Sequence, residues 1–201
     1  MNANPEQFLS AYFRAYQKLA FSGHASRQVV EFAELATATR ARKGKLIFAG
    51  NGASAAIASH AALDFTKQAR VRATTFHDAA LMTAFANDYG YEHWMAEAIE
   101  HYSDPEDVIV LISVSGTSPC IVAAAQRANR LDRALVGFSG RHADNDLAQM
   151  ANLSFHVPSH AYNIVENIHG IWISAAIDLI IGNAEYEVKD SPTSQKRAVS
   201  W

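Results

Sequence analysis

Four hydroxyl side chains crowd one short stretch of this sequence. In SVSGTSP (113–119), Ser113, Ser115, Thr117 and Ser118 surround Gly116. The stretch completes a β-branched apolar run, DVIVLISVS (107–115), and leads into a helical pattern that opens at Pro119. Hydroxyls joined by the first free N–H groups of a helix can wrap a phosphate without any cationic side chain. One hydroxyl would suffice to cap the helix. Four of them favour an anion cradle.

A second loop has the same placement. GNGAS (50–54) follows the apolar run KLIFAG (45–50) and opens a helical segment over 53–69. Its glycines permit a tight turn and close approach of a ligand to bare backbone, and Asn51 and Ser54 add polar side chains. Gly50, Gly52 and Ala55 also match a G-x-G-x-x-A dinucleotide fingerprint. That reading needs an acid at the end of the second strand, where Asp78 is the nearest candidate; Asp64 is on the wrong element. A dinucleotide fold has no need of a serine loop at the later strand. The pair of loops therefore points to a phosphorylated small molecule, with its phosphate on the serines.

Proton-transfer and metal-binding groups come from two further helices. His60 and Asp64 stand at i, i+4, the usual spacing of two ligands on one helix. Glu166 lies one turn before His169 on a later helical segment. The other histidines (His24, His77, His93, His101, His142, His156 and His160) show no ligand spacing. Cys120, the single cysteine, cannot form an internal disulfide and reads as a small buried side chain on a helix.

These loops need strands to carry them. Past Gly44, short apolar runs at 45–50, 71–76, 107–115, 133–140 and 152–158 alternate with helical segments at 53–69, 78–102 (broken near NDYG, 87–90), 119–128 and 163–182. Such alternation predicts a mainly parallel sheet covered by helices on both faces, a three-layer α/β sandwich with ligands beyond the carboxyl ends of the strands. Residues 5–43 read as a pair of amphipathic helices broken at FSGHAS (21–26). The expected organisation is an N-terminal helix pair for packing and oligomerisation (1–44), an α/β domain (45–185) and a polar C-terminal tail (186–201).

The 201 residues are 49% hydrophobic and 18% charged, with a formal net charge of −3. No basic stripe invites nucleic acid. The N-terminus has no apolar signal core, and no run reaches the roughly 18 apolar residues of a membrane span. The expectation is a cytoplasmic protein with neither a nucleic-acid nor a membrane partner.

Taken together, GNGAS, ANDYG, SVSGTS and VPSH resemble the SIS (sugar isomerase) fold, in its phosphoheptose isomerase branch. The resemblance runs from about Phe8 to Gly182 and implies a flavodoxin-like topology, a homotetramer with active sites between subunits, and conversion of sedoheptulose 7-phosphate to an aldoheptose 7-phosphate. It implies that Ser113, Ser115 and Ser118 hold the phosphate, with Thr117 where Asn is common. Asn51, Gly52 and Ser54 would meet the sugar chain, and Asp88 a sugar hydroxyl. The family pattern has zinc on a histidine, a glutamate, a glutamine and a second histidine, and the glutamate and second histidine shuttle protons. The matching positions here are His60, Asp64, Glu166 and Ser174; by that resemblance Asp64, Glu166 and His169 are the candidate catalytic residues, and His60, Asp64 and Glu166 offer a metal one nitrogen and two oxygens. Asp64 is one methylene shorter than Glu, about 1.5 Å of reach, and Ser174 cannot shuttle a proton unaided. One relative in this branch, the bacterial replication-initiator-associating protein, also lacks the second histidine and works by binding a protein partner. The resemblance thus carries two expectations: a ketose–aldose isomerase, or a non-catalytic regulator that keeps sugar-phosphate binding.

Overall fold

The apolar runs past Gly44 form five strands: β1 (Leu46–Gly50), β2 (Ala73–Thr75), β3 (Val108–Ser113), β4 (Ala134–Gly140) and β5 (Leu153–Val157). The computed structural model describes residues 4–185. All strand pairs are parallel, in the order β2-β1-β3-β4-β5, the flavodoxin-like arrangement. Every residue of β1 and β3 is buried, as expected of central parallel strands covered on both faces. Only three residues of VRATTF pair with β1, because β2 is an edge strand.

The helices are α1 (Pro5–Ala20), α2 (Gly23–Ala41), α3 (Ala53–Lys67), α4 (Ala79–Tyr89), α5 (Trp94–Tyr102), α6 (Pro119–Arg130), α7 (Asp146–Met150) and α8 (Tyr162–Ile181). One sheet face is covered by α2, α3 and α8, the other mainly by α5, α6 and α7. The break at FSGHAS shrinks to Phe21 and Ser22, because the Ser22 hydroxyl accepts the Ala25 N–H and starts α2 at Gly23. The short α7 was not expected; the Asn145 side chain caps it by accepting the Ala148 N–H. The tail expected over 186–201 lies outside the described residues.

An aromatic cluster ties the leading helices to the sheet. Phe32 of α2 meets Phe65, Phe138 and Phe155 edge-on, at 5.6, 5.8 and 6.1 Å between centroids, the preferred geometry of ring pairs. Phe138 and Phe155 stack at 4.3 Å. In contrast, α1 presents Phe8 and Phe13 to solvent.

Helix α8 corrects two expectations. It is long and apolar enough to cross a membrane by length and composition alone, against the expectation of no such run. Here it is a core helix, with Val165, Ile168, Trp172 and Ile173 buried in the cluster beneath the sheet. Its His169 is not a catalytic group. Val165, His169 and Trp172 lie on the buried stripe of α8, and the ring of His169 packs against Phe138 and Trp172. Its Nε2 lies 3.0 Å from the Ser139 carbonyl oxygen, to which it donates. Glu166, three residues earlier, is turned about 60° around the helix from His169, which is enough to leave the core.

Burial pushes the His169 pKa down to about 4 from 6.5. The folded protein therefore keeps this ring neutral while the unfolded chain takes up a proton below pH 6.5, so stability falls as pH drops from 6.5 towards 4. The loss attributable to this residue is about 3 kcal/mol. Denaturant unfolding of the wild type and of His169→Gln at pH 7 and pH 4 should show a pH-dependent loss smaller by that amount in the variant. Equal losses in both proteins would contradict the assignment.

Candidate functional site

Strands β1 and β3 lie side by side, with Gly50 paired to Ile112. Their connections leave in opposite directions, so the two loops flank the switch point of the sheet, where ligands of open α/β folds bind. A cleft of about 260 Å³ opens there, lined by residues 51–54, 112–115, Ser118, Tyr162 and Glu166. Gly52 has φ +57° and ψ −126°, a conformation that favours glycine. It lets the chain turn straight from β1 into α3.

The serine loop is organised by its own hydroxyls. Ser113 Oγ accepts the Gly116 N–H at 3.2 Å, and Ser115 Oγ accepts the Thr117 N–H at 3.3 Å. The Ser115 hydroxyl lies 3.5 Å from that of Ser113 and 3.3 Å from that of Ser118. Ser118 occupies the N-cap position of α6, yet its side chain makes no capping bond. Helix capping alone therefore does not explain the cluster. Gly116 has φ +66°, and a Cβ there would fall 1.9 Å from Asn145 Oδ1. Asn145 is buried and donates to Ser139 Oγ and the His142 carbonyl, at 3.0 and 2.7 Å, so it braces the loop from behind. Thr117 departs from expectation. Its side chain is exposed and does not line the cleft, because the turn at Gly116 aims it outward.

Asn51 has both ends of its amide engaged. Its Nδ2 donates to Cys120 Sγ at 3.0 Å, and its Oδ1 accepts from Tyr91 Oη at 3.2 Å. His77 holds the same elbow from the β2 side, with Nε2 at 2.9 Å from the Gly50 carbonyl oxygen and Nδ1 at 2.5 Å from Thr75 Oγ1. Burial keeps the His77 pKa below its ordinary value, opposed by the bond to Gly50. Neither Tyr91, His77 nor Tyr162 stood out in the sequence. The GYE that continues ANDYG was the one available signal for Tyr91; the other two have none. Asp78, the ribose-binding candidate of the dinucleotide reading, instead caps α4 by accepting the N–H groups of Ala80 and Leu81.

Of the candidate proton-transfer and metal groups, only Glu166 reaches the cleft. Burial raises its carboxyl pKa above the ordinary 4.5. Helices α3 and α8 run alongside each other, so Ser54 stands near Glu166, whereas His60 shares a pocket with Ser174 and Ile177. Asp64 is ten residues past Ser54, about 15 Å along the helix. It pairs with His60 at 3.2 Å, and its charge adds to burial in raising the Asp178 pKa. His60, Asp64 and Glu166 thus do not converge within one chain. Among the described residues, no three His, Cys, Asp or Glu side chains of one chain come together as a metal site. Asp88 also lies apart, beside Phe85 and His101 in a separate hollow on α4 and α5.

The cleft thus combines neutral donors at the strand ends with one carboxylate on α8, and among the described residues no Lys or Arg lines it. That arrangement can hold an anionic head group by hydroxyls and backbone amides while a single base faces the remainder of the molecule.

Known proteins share this architecture. A family model described as SIS domain matches residues 11–140. The phosphoheptose isomerase of a Roseiflexus species is 36% identical over 149 residues, covering 70% of this chain and 74% of that protein. That of Solidesulfovibrio magneticus is 30% identical over 178 residues, covering 84% and 86%. The solved phosphoheptose isomerase of Neisseria gonorrhoeae superposes with a TM-score of 0.78 at 27% identity, over 89% of this chain and 100% of that one. The chain belongs to the SIS domain family, in the branch similar to the phosphoheptose isomerases.

Proposed function

We propose that the cleft binds a phosphorylated sugar and that the protein is a ketose–aldose isomerase of the phosphoheptose isomerase type, taking sedoheptulose 7-phosphate to an aldoheptose 7-phosphate. The observation that carries this reading is the convergence of Ser113, Ser115 and Ser118 with the GNGAS elbow on one cleft that also holds Glu166. The serines and neighbouring amides receive the phosphate, and Asn51 and Ser54 meet the sugar chain. Glu166 takes the proton from the carbon beside the carbonyl, its pKa raised by burial towards the range useful to a base near neutrality. Asp64 is too far from the cleft in its own chain to share that task.

A second reading, a non-catalytic regulator that binds sugar phosphate and a protein partner, is favoured by one feature. Ser174, where a proton-shuttling histidine is expected, lines a small apolar pocket beside His60 rather than the cleft. In either role we infer a cytoplasmic homo-oligomer, a tetramer by analogy. The exposed apolar side chains Phe8, Phe13, Ile171 and Leu179 on α1 and α8 are of the kind a second copy covers. His60, Asp64 and Asp88 would then serve a neighbouring subunit's cleft.

Incubation with sedoheptulose 7-phosphate in deuterated water, followed by NMR, should show aldose product and loss of the carbon-bound proton; binding without exchange would favour the regulator. Replacing both Ser115 and Ser118 by Ala should weaken substrate binding at least about 10-fold, since two hydrogen bonds to a charged group are lost. Glu166→Gln should lower kcat by about 10²-fold or more. The acidic limb of the wild-type kcat profile should have its midpoint above 4.5, because only the ionised carboxylate can accept the proton; a midpoint at or below that value would exclude Glu166 as the base. Light scattering should return a multiple of the 21.9 kDa chain mass.

A further inference from the structure

Isomerisation through an enediol needs an acid as well as a base, because the carbonyl oxygen must gain a proton as the neighbouring carbon loses one. Glu166 accounts for the base alone. Ser174 faces away from the cleft, and His169 is sealed in the core. Resting on the isomerase reading, we propose that Tyr162, held by Arg141, is the acid of this cleft.

Tyr162 and Glu166 both line the cleft. They stand at i and i+4 on α8, hence on one face of the helix, one above the other. Arg141 follows directly on β4 at the carboxyl edge of the sheet, where its backbone N–H donates to the Ser159 carbonyl at 3.0 Å. Its Nη2 donates to Tyr162 Oη at 2.8 Å, and its guanidinium carbon lies 5.0 Å from the centre of the phenol ring. Arginine has no acceptor, so the phenol oxygen must be the acceptor in that bond. Its own proton therefore points elsewhere and remains available to a ligand. The Asn51 amide, in contrast, is bonded at both ends, and the serine hydroxyls, which have far weaker acidity than a phenol, belong to the phosphate cradle.

The proton balance closes with these two residues. Glu166 takes a proton from C1 of the ketose as Tyr162 gives its phenol proton to the carbonyl oxygen on C2, which leaves an enediol, a protonated Glu166 and a tyrosinate. The tyrosinate then takes the proton of the hydroxyl on C1 while Glu166 returns its proton to C2. The product is the aldose, and both side chains are restored. The guanidinium of Arg141 sits where the transient negative charge develops, before the reaction begins. A positive charge so placed stabilises that state without reorganisation.

Tyr162→Phe removes one oxygen and keeps the ring. The variant should retain wild-type circular dichroism and bind sedoheptulose 7-phosphate within about threefold of wild type, while kcat and carbon-proton exchange fall about 10²-fold or more. Arg141→Gln, which leaves the phenol in place but removes the charge behind it, should lower kcat by about 10-fold or more with KM little changed. Exchange by Tyr162→Phe within about twofold of wild type would overturn the assignment while leaving the isomerase reading intact. Absence of exchange by the wild-type protein itself would overturn both.

Discussion

The pairing of Gly50 with Ile112 is the constraint on which the cleft depends. It brings the carboxyl ends of two strands that are distant in sequence to the same height. Each strand then releases its chain into a loop and a helix. Nothing in either loop alone would make a binding site. The elbow offers backbone and two side chains, the serine loop a set of hydroxyls, and only the sheet register sets them opposite each other. The burial of all residues of β1 and β3 makes slippage costly, since a one-residue shift would exchange the side chains of the two faces.

A second level of organisation keeps the loops in shape. Asn145 fills the space beneath Gly116 and ties it to the end of β4. His77 fastens the elbow to the edge strand, while Asn51 spans from Cys120 to Tyr91. The polar groups that would meet a ligand are therefore held by neighbours that would not. Such preorganisation lowers the ordering cost of binding. The electrostatic plan is economical: a neutral cradle from hydroxyls and amides, and one carboxylate whose burial makes it a better proton acceptor.

Much of this was legible in the sequence because it rests on local pattern. The β-branched run of β3 and the glycine-rich turns at 50–54 and 113–118 mark buried strands that end in ligand-binding loops, and the alternation after Gly44 gives a parallel sheet. Ser113, Ser115, Ser118, Asn51 and Ser54 were found on that basis and Glu166 through the family resemblance, and all reach the cleft. The misses share a different cause. His169 and Glu166 are three residues apart on one helix, and spacing alone does not say which faces the core. Thr117 sits among serines, but a left-handed glycine turns it away. His60 and Asp64 satisfy the spacing of paired ligands, yet the alignment of α3 with α8 puts His60 beside Gly170 and Ser174, past Glu166, and Asp64 a further turn along. Tyr162 and His77 belong to no motif, and only tertiary contact gives them a place.

Helix α8 serves as both structural spine and functional arm, because Glu166 faces the cleft while His169 and Trp172 fill the core from the same segment. Each residue turns an α-helix by about 100°. Insertion or deletion of one residue ahead of its first turn, if the helix slid to absorb it, would swing the carboxylate out of the cleft and the imidazole away from its bond to Ser139. Surface loops away from the cleft are free to drift in length over evolution. The segment between β5 and α8 is not, and relatives that share this chemistry should differ there in residue identity far more than in residue number.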